Sequence, residues 1–75
     1  MMTAKTAYSL FKKAYPKLPI RSMCDYNGKY YIVSAGMGCY SIHKKTGDIA
    51  PFNPTDNIAY FAKVSFEKNI DISSF

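Results

Sequence analysis

Tryptophan is absent from this 75-residue chain, histidine occurs once, cysteine occurs twice, and apolar residues nowhere run on for the roughly 18 positions that a membrane-crossing helix needs. Each shortage excludes something. Cys24 and Cys39 are too few to form a disulfide framework, so two reduced, partly buried thiols are expected. With His43 and either Asp25 or Asp48 they form the only conceivable metal set, and it lacks the paired Cys-x2-Cys spacing by which structural zinc sites announce themselves. No metal and no cofactor are expected. Cys39 and His43 fall on the same face of one strand but four residues apart, about 13 Å, beyond the reach of a nucleophile and its base. Gly36-Met37-Gly38 lacks both the third glycine of a dinucleotide fingerprint and the Gly-Lys-Ser/Thr of a phosphate loop, so it reads as a plain bend. A Cys24–His43 pair stays open on paper, and the expectation is a protein that is not an enzyme. The opening stretch, MMTAKTAYSLFKK, carries no apolar segment of the secretory kind, and Pro54 spoils the glycosylation outline Asn53-Pro54-Thr55. A cytoplasmic location without membrane contact is expected.

The chain is rich in aromatic residues, with seven tyrosines and five phenylalanines. Apolar residues make up 48%, the composition of a folded domain rather than of a disordered segment. At this length a single small domain spanning residues 1–75 is expected, burying only about 60 to 65% of the surface that its unfolded chain exposes. Charge is unevenly placed: residues 1 to 21 hold Lys5, Lys12, Lys13, Lys17 and Arg21 with no acid, while five lysines balance five acids from Ser22 onward. Together with Lys44 and Lys45 these form a candidate basic patch. Such asymmetry either steers an anionic partner or simply solvates one helix face.

Periodicity orders the elements. Ala4, Ala7, Tyr8, Phe11, Ala14 and Tyr15 follow the i, i+3, i+4, i+7 rule, Thr3 can cap, and Pro16 biases Tyr15 out of helical geometry. A helix over 3–15 is expected, with Lys5, Lys12 and Lys13 on its outer side. After the stiff Pro16-Lys17-Leu18-Pro19 connector, Asn27-Gly28 supplies the pair that a type I′ turn demands, with β-formers on both sides. The resulting hairpin opposes Tyr26 with Lys29, Cys24 with Tyr31, Ser22 with Val33 and Ile20 with Ala35. That face is the one expected to seat the helix. The other carries Met23, Tyr30 and Ile32, which a partner, a second copy or the C-terminal segment must cover, since aromatic and aliphatic groups on the open side of a one-layer sheet need a cover; it is the face expected to bind another protein. Tyr40 and Ile42 alternate in a third strand, Lys44-Lys45-Thr46-Gly47 turns the chain, and Asp48–Phe52 returns with Ile49 inward and Pro51 restricting it to an edge. Asn53, Pro54 and Asp56 read as the start of a second helix running to about Val64, with Ile58, Phe61, Ala62 and Phe66 at helical spacing, the alternative being a strand over Val64-Ser65-Phe66, where β-branched and aromatic residues are dense. The tail, NIDISSF, either adds an edge strand or frays. The expected fold is α+β: an N-terminal helix packed on a three- to four-stranded antiparallel sheet, followed by a short C-terminal helix.

The segments GKYYIVSA and CYSIHKKTGDI resemble the PepSY module and the small YrhB-like toxin-immunity proteins, in which a strand ending in a Lys-Thr-Gly-Asp/Glu-Ile turn closes the sheet. The resemblance covers roughly residues 4 to 50. It implies a non-catalytic module that binds or blocks another protein, and it carries over no site residue. Tyrosine-rich surfaces suit such contacts, because tyrosine offers a large buried area with few rotatable bonds. The leading expectation is therefore a small protein-binding module, an inhibitor or immunity-type accessory protein of bacterial or phage origin, using Met23, Tyr30 and Ile32. A homodimer through that face is a further expectation. The alternative is a nucleic-acid binder that stacks bases on Tyr30, Tyr31 and Tyr40 and neutralises phosphates with Lys29, Lys44, Lys45 and the basic helix.

Overall fold

The computed structural model describes residues 2–34, 38–53 and 58–75. Helix α1 spans Ala4–Ala14, with Thr3 as its N-cap in extended geometry and its hydroxyl oxygen accepting from the Thr6 backbone N–H at 3.2 Å. It stops at Tyr15, whose N–H still reaches the Phe11 carbonyl at 2.8 Å before Pro16 forbids another turn. Strands β1 (Ile20–Tyr26) and β2 (Lys29–Ser34) form the expected hairpin. Asn27 and Gly28 both adopt positive φ, 53° and 76°, as a type I′ turn requires. Strands β3 (Gly38–His43) and β4 (Ile49–Phe52) follow, then helix α2 (Ile58–Glu67) and the two-residue strand β5 (Asn69–Ile70).

The five strands form one antiparallel sheet in the order β4-β3-β2-β1-β5, so the tail does pair, with Met23 opposite Ile70 and Cys24 opposite Asn69. The fold is α+β as expected, with one strand more than the three or four anticipated. Helix α2 ends three residues beyond Val64. The expected cap and first turn at Pro54 and Asp56 lie outside the described residues, as do Ala35 and most of the Gly36-Met37-Gly38 bend.

The hairpin register matches at Ser22–Val33, Cys24–Tyr31 and Tyr26–Lys29, but Ile20 pairs with Ser34 because a bulge intervenes between Ile20 and Ser22. One extra residue reverses the side of the sheet to which the strand's beginning points. Ile20 therefore joins Met23, Tyr30 and Ile32, and the Ser34 hydroxyl donates to the Pro19 carbonyl at 2.8 Å beside the bulge. Register then adds Tyr40 and Ile42 from β3, Ile49 from β4 and Ile70 from β5 to the same side. This is the face that receives α1. Ala7, Phe11, Met23, Tyr30, Ile32 and Ile42 form the buried core, with Met2, Tyr8, Leu18, Ile20 and Ile72 packed around it.

The expected seating of α1 on the Cys24, Tyr31, Val33 face is thus reversed. The physical reason is area: the hairpin's two faces are nearly balanced, and the balance tips once the bulge transfers Ile20 and three further strands deliver four more apolar side chains to the Met23 side. The N-terminal segment is tied down above this core. Met2 N–H donates to the Lys44 carbonyl at 3.1 Å, and the buried Tyr30 hydroxyl donates to the Met2 carbonyl at 3.2 Å. The other end of the chain also returns to α1, where Phe75 meets Tyr8 edge to face with ring centroids 5.4 Å apart.

Candidate functional site

Met23, Tyr30 and Ile32 are exposed by only 1%, 7% and 0%. They are the floor of the core beneath α1, so the expectation that they remain open for a partner is corrected: a cover is needed, and the chain's own first helix supplies it.

The opposite face is covered less completely and, among the described residues, by α2. Tyr31 is its centre, with ring centroids of Phe52, Phe61 and Tyr26 at 4.8, 5.9 and 6.3 Å. Phe52 and Phe61 also meet at 5.2 Å, and the Tyr26 and Tyr60 hydroxyls hydrogen bond at 2.7 Å. Phe61 and Val64 point at the sheet, spaced as one face of a helix must be. Phe66, which the helical spacing groups with them, does not: it stands two residues past Val64, turned off the sheet-facing side of the helix beside the groove, and is 86% exposed. Ala62 and Phe66, four residues apart, form a rim instead. Between that rim and the sheet runs an open groove of about 690 Å³ lined by Val33, Cys39, Phe61 and Ser65, with Arg21 and Asn69 at its border. Sequence reasoning missed this groove. Its signal was faint, an aromatic residue out of phase with the single buried valine of α2.

The basic residues are dispersed. Lys5, Lys13 and Lys17 are exposed on or just after α1, and Lys12 is half-buried. Arg21 lies at the bulge, on the border of the groove. Lys44 is engaged within the molecule: it forms an ion pair with Asp25, and its ammonium sits 4.8 Å from the centre of the Tyr30 ring. Lys45 is exposed in the turn, where its N–H donates to His43 Nδ1 at 3.2 Å. The seven residues expected to act as one patch are thus divided among the α1 surface, the β3–β4 turn and the groove. The aromatic platform expected for bases is divided too, with Tyr30 and Tyr40 under α1 and Tyr31 under α2.

Both cysteines are free. Strand β2 lies between theirs, so their backbones are separated by about two strand spacings, roughly 9.5 Å, beyond disulfide reach. Burial raises the Cys24 thiol pKa, with Ser65 and the Tyr31 backbone hydrogen bonding against it, and burial likewise raises that of Cys39. Raised values mean little thiolate at neutral pH, the opposite of an activated nucleophile. Among the described residues, no three His, Cys, Asp or Glu side chains converge as metal ligands. No described helix is long and apolar enough to cross a membrane.

These features define a small α+β domain with a helix on each sheet face and an apolar groove on one of them. Comparison with family models, curated proteins and solved structures finds no match in any of the three.

Proposed function

We propose that this protein is a non-enzymatic protein-binding module whose contact surface is the α2 side of the sheet, centred on Phe66 and the groove beside it. The observation that carries the reading is the 86% exposure of Phe66 at the edge of an apolar groove. An exposed phenylalanine beside a cleft is an anchor of the kind that dominates protein interfaces once it is desolvated. Ala62, exposed at the same rim, continues the surface. This is a role of binding or blocking, as in an inhibitor or immunity-type protein, exercised through the helix that follows the sheet.

The test is Phe66→Asp. Its exposure predicts an unchanged circular dichroism spectrum and a stability within about 0.5 kcal/mol of the parent, together with loss of protein partners in cross-linking from native lysate. A variant that keeps every partner removes Phe66 from the contact.

Nucleic-acid binding is the second reading, and it is favoured by one observation: α1 carries lysines but no acid. With the tyrosines divided between two covered faces, phosphate contact by Lys5, Lys13 and Lys17 would be its main term. It predicts oligonucleotide binding that weakens steeply between about 50 and 200 mM salt. No binding at the lower salt removes it.

A further inference from the structure

The groove, the ring at its rim and two unlike charges lie together on one patch, and their arrangement bears on what the groove holds. Resting on the protein-binding reading above, we propose that its occupant is a second copy of this chain, docked about a two-fold axis with the Phe66 ring of each copy seated in the groove of the other.

Three observations support this occupant. First, a patch that carries both an exposed aromatic ring and an adjacent apolar cleft is complementary to itself. A two-fold rotation brings each ring to the other copy's cleft, and the contact closes at two copies rather than propagating into a filament. Second, charge follows the same division. Arg21 borders the groove and Glu67 directly follows Phe66; both are exposed, and neither has an ion-pair partner among the described residues. Seating Phe66 carries Glu67 toward the partner's Arg21 and creates the pair twice. Third, the net charge of +5 opposes any association of two copies, and this patch minimises that opposition. Lys5, Lys12, Lys13 and Lys17 belong to α1 and the connector after it, and α1 packs on the opposite face of the sheet, so docking through α2 leaves two sheets between the basic helices. Lys63 and Lys68 are the cations of α2 and its end that remain near the contact, with Glu67 between them in the chain.

Sedimentation equilibrium of the full chain over about 1 µM to 1 mM tests the proposal. The expected result is a reversible monomer–dimer equilibrium. Phe66→Asp raises the dimer dissociation constant at least about 100-fold, since each dimer loses two anchors, while the urea midpoint of the monomer stays in place. Arg21→Glu alone and Glu67→Arg alone each weaken the dimer about tenfold, and the double variant R21E/E67R recovers to within about threefold of the parent, because the swapped charges meet again. Merely structural roles for Arg21 and Glu67 would not give that recovery. A parent protein that stays monomeric at 1 mM overturns the second-copy proposal, as does a dimer indifferent to Phe66→Asp. In the monomeric case the lysate cross-linking described above separates the two levels of inference. If Phe66→Asp still abolishes a captured partner, protein binding stands and the groove belongs to a different protein; if it changes nothing, both fall.

Discussion

Truncating Ile32 to alanine probes the face assignment on which everything else rests. Ile32 is fully buried at the centre of the sheet, between Met23 on β1 and Tyr40 on β3, and beneath α1. The change removes three side-chain carbons, worth about 2.4 kcal/mol in lost burial, and the cavity left in a rigid sheet adds roughly 1 kcal/mol. A loss of about 3.5 kcal/mol is large against the roughly 4 to 11 kcal/mol available to a chain of this length. At a urea dependence near 1 kcal/mol/M, the midpoint should fall by about 3.5 M. The neighbouring residue provides the control. Val33 points to the other face, is only half-buried and lines the groove, so Val33→Ala should cost about 1 kcal/mol and shift the midpoint by about 1 M. Urea unfolding followed by circular dichroism measures both. If Val33→Ala costs as much as Ile32→Ala, α1 does not sit where the core places it. If Ile32→Ala leaves the midpoint unchanged but abolishes partner binding, Ile32 is a contact residue and the first expectation was right after all.

Other consequences can be checked with the same unfolding assay. Thr3→Ala should cost about 1 kcal/mol through loss of the cap on Thr6 N–H, and Thr3→Ser should restore most of it; equal stability of all three would deny the cap a role. Gly28→Val should destabilise the hairpin by more than 1 kcal/mol, although the site is open in space, because a β-branched residue resists a φ of 76°; a neutral outcome would mean that the turn is not type I′. Stability should be flat from about pH 7 to 8.5 and fall above the ordinary thiol value of 9.0. Burial raises the folded-state pKa values of Cys24, Tyr31 and Cys39, so each contributes stability that is complete below its unfolded pKa and is lost as pH rises through the folded one. Cys24→Ala should flatten the first part of that decline, and a stability that climbs with pH would contradict the burial of these groups. Under native conditions Cys39, half-buried at the groove, should react with a disulfide reagent before the buried Cys24, and the reverse order would place the groove elsewhere.

Much of the fold was legible because it is local. Thr3 and Pro16 bracket α1 through interactions reaching no further than four residues, and Asn27-Gly28 sets both the turn and the register of the six residues nearest it. Periods of 3.6 and 2 follow from backbone geometry, so they survive any tertiary context. What the sequence could not decide was which of two similar hairpin faces would be covered first. That choice depended on a one-residue bulge at Arg21 and on apolar groups from β3, β4 and β5, the last of which begins only at Asn69, long after the hairpin has ended at Ser34. The same long-range placement engaged Lys44 with Asp25, separated Arg21 from the α1 lysines and turned Phe66 outward beside a groove built from β1, β2, β3 and α2. Sums of burial over a whole sheet are properties of the assembled chain. A surface such as the Phe66 groove exists only after those sums have been settled.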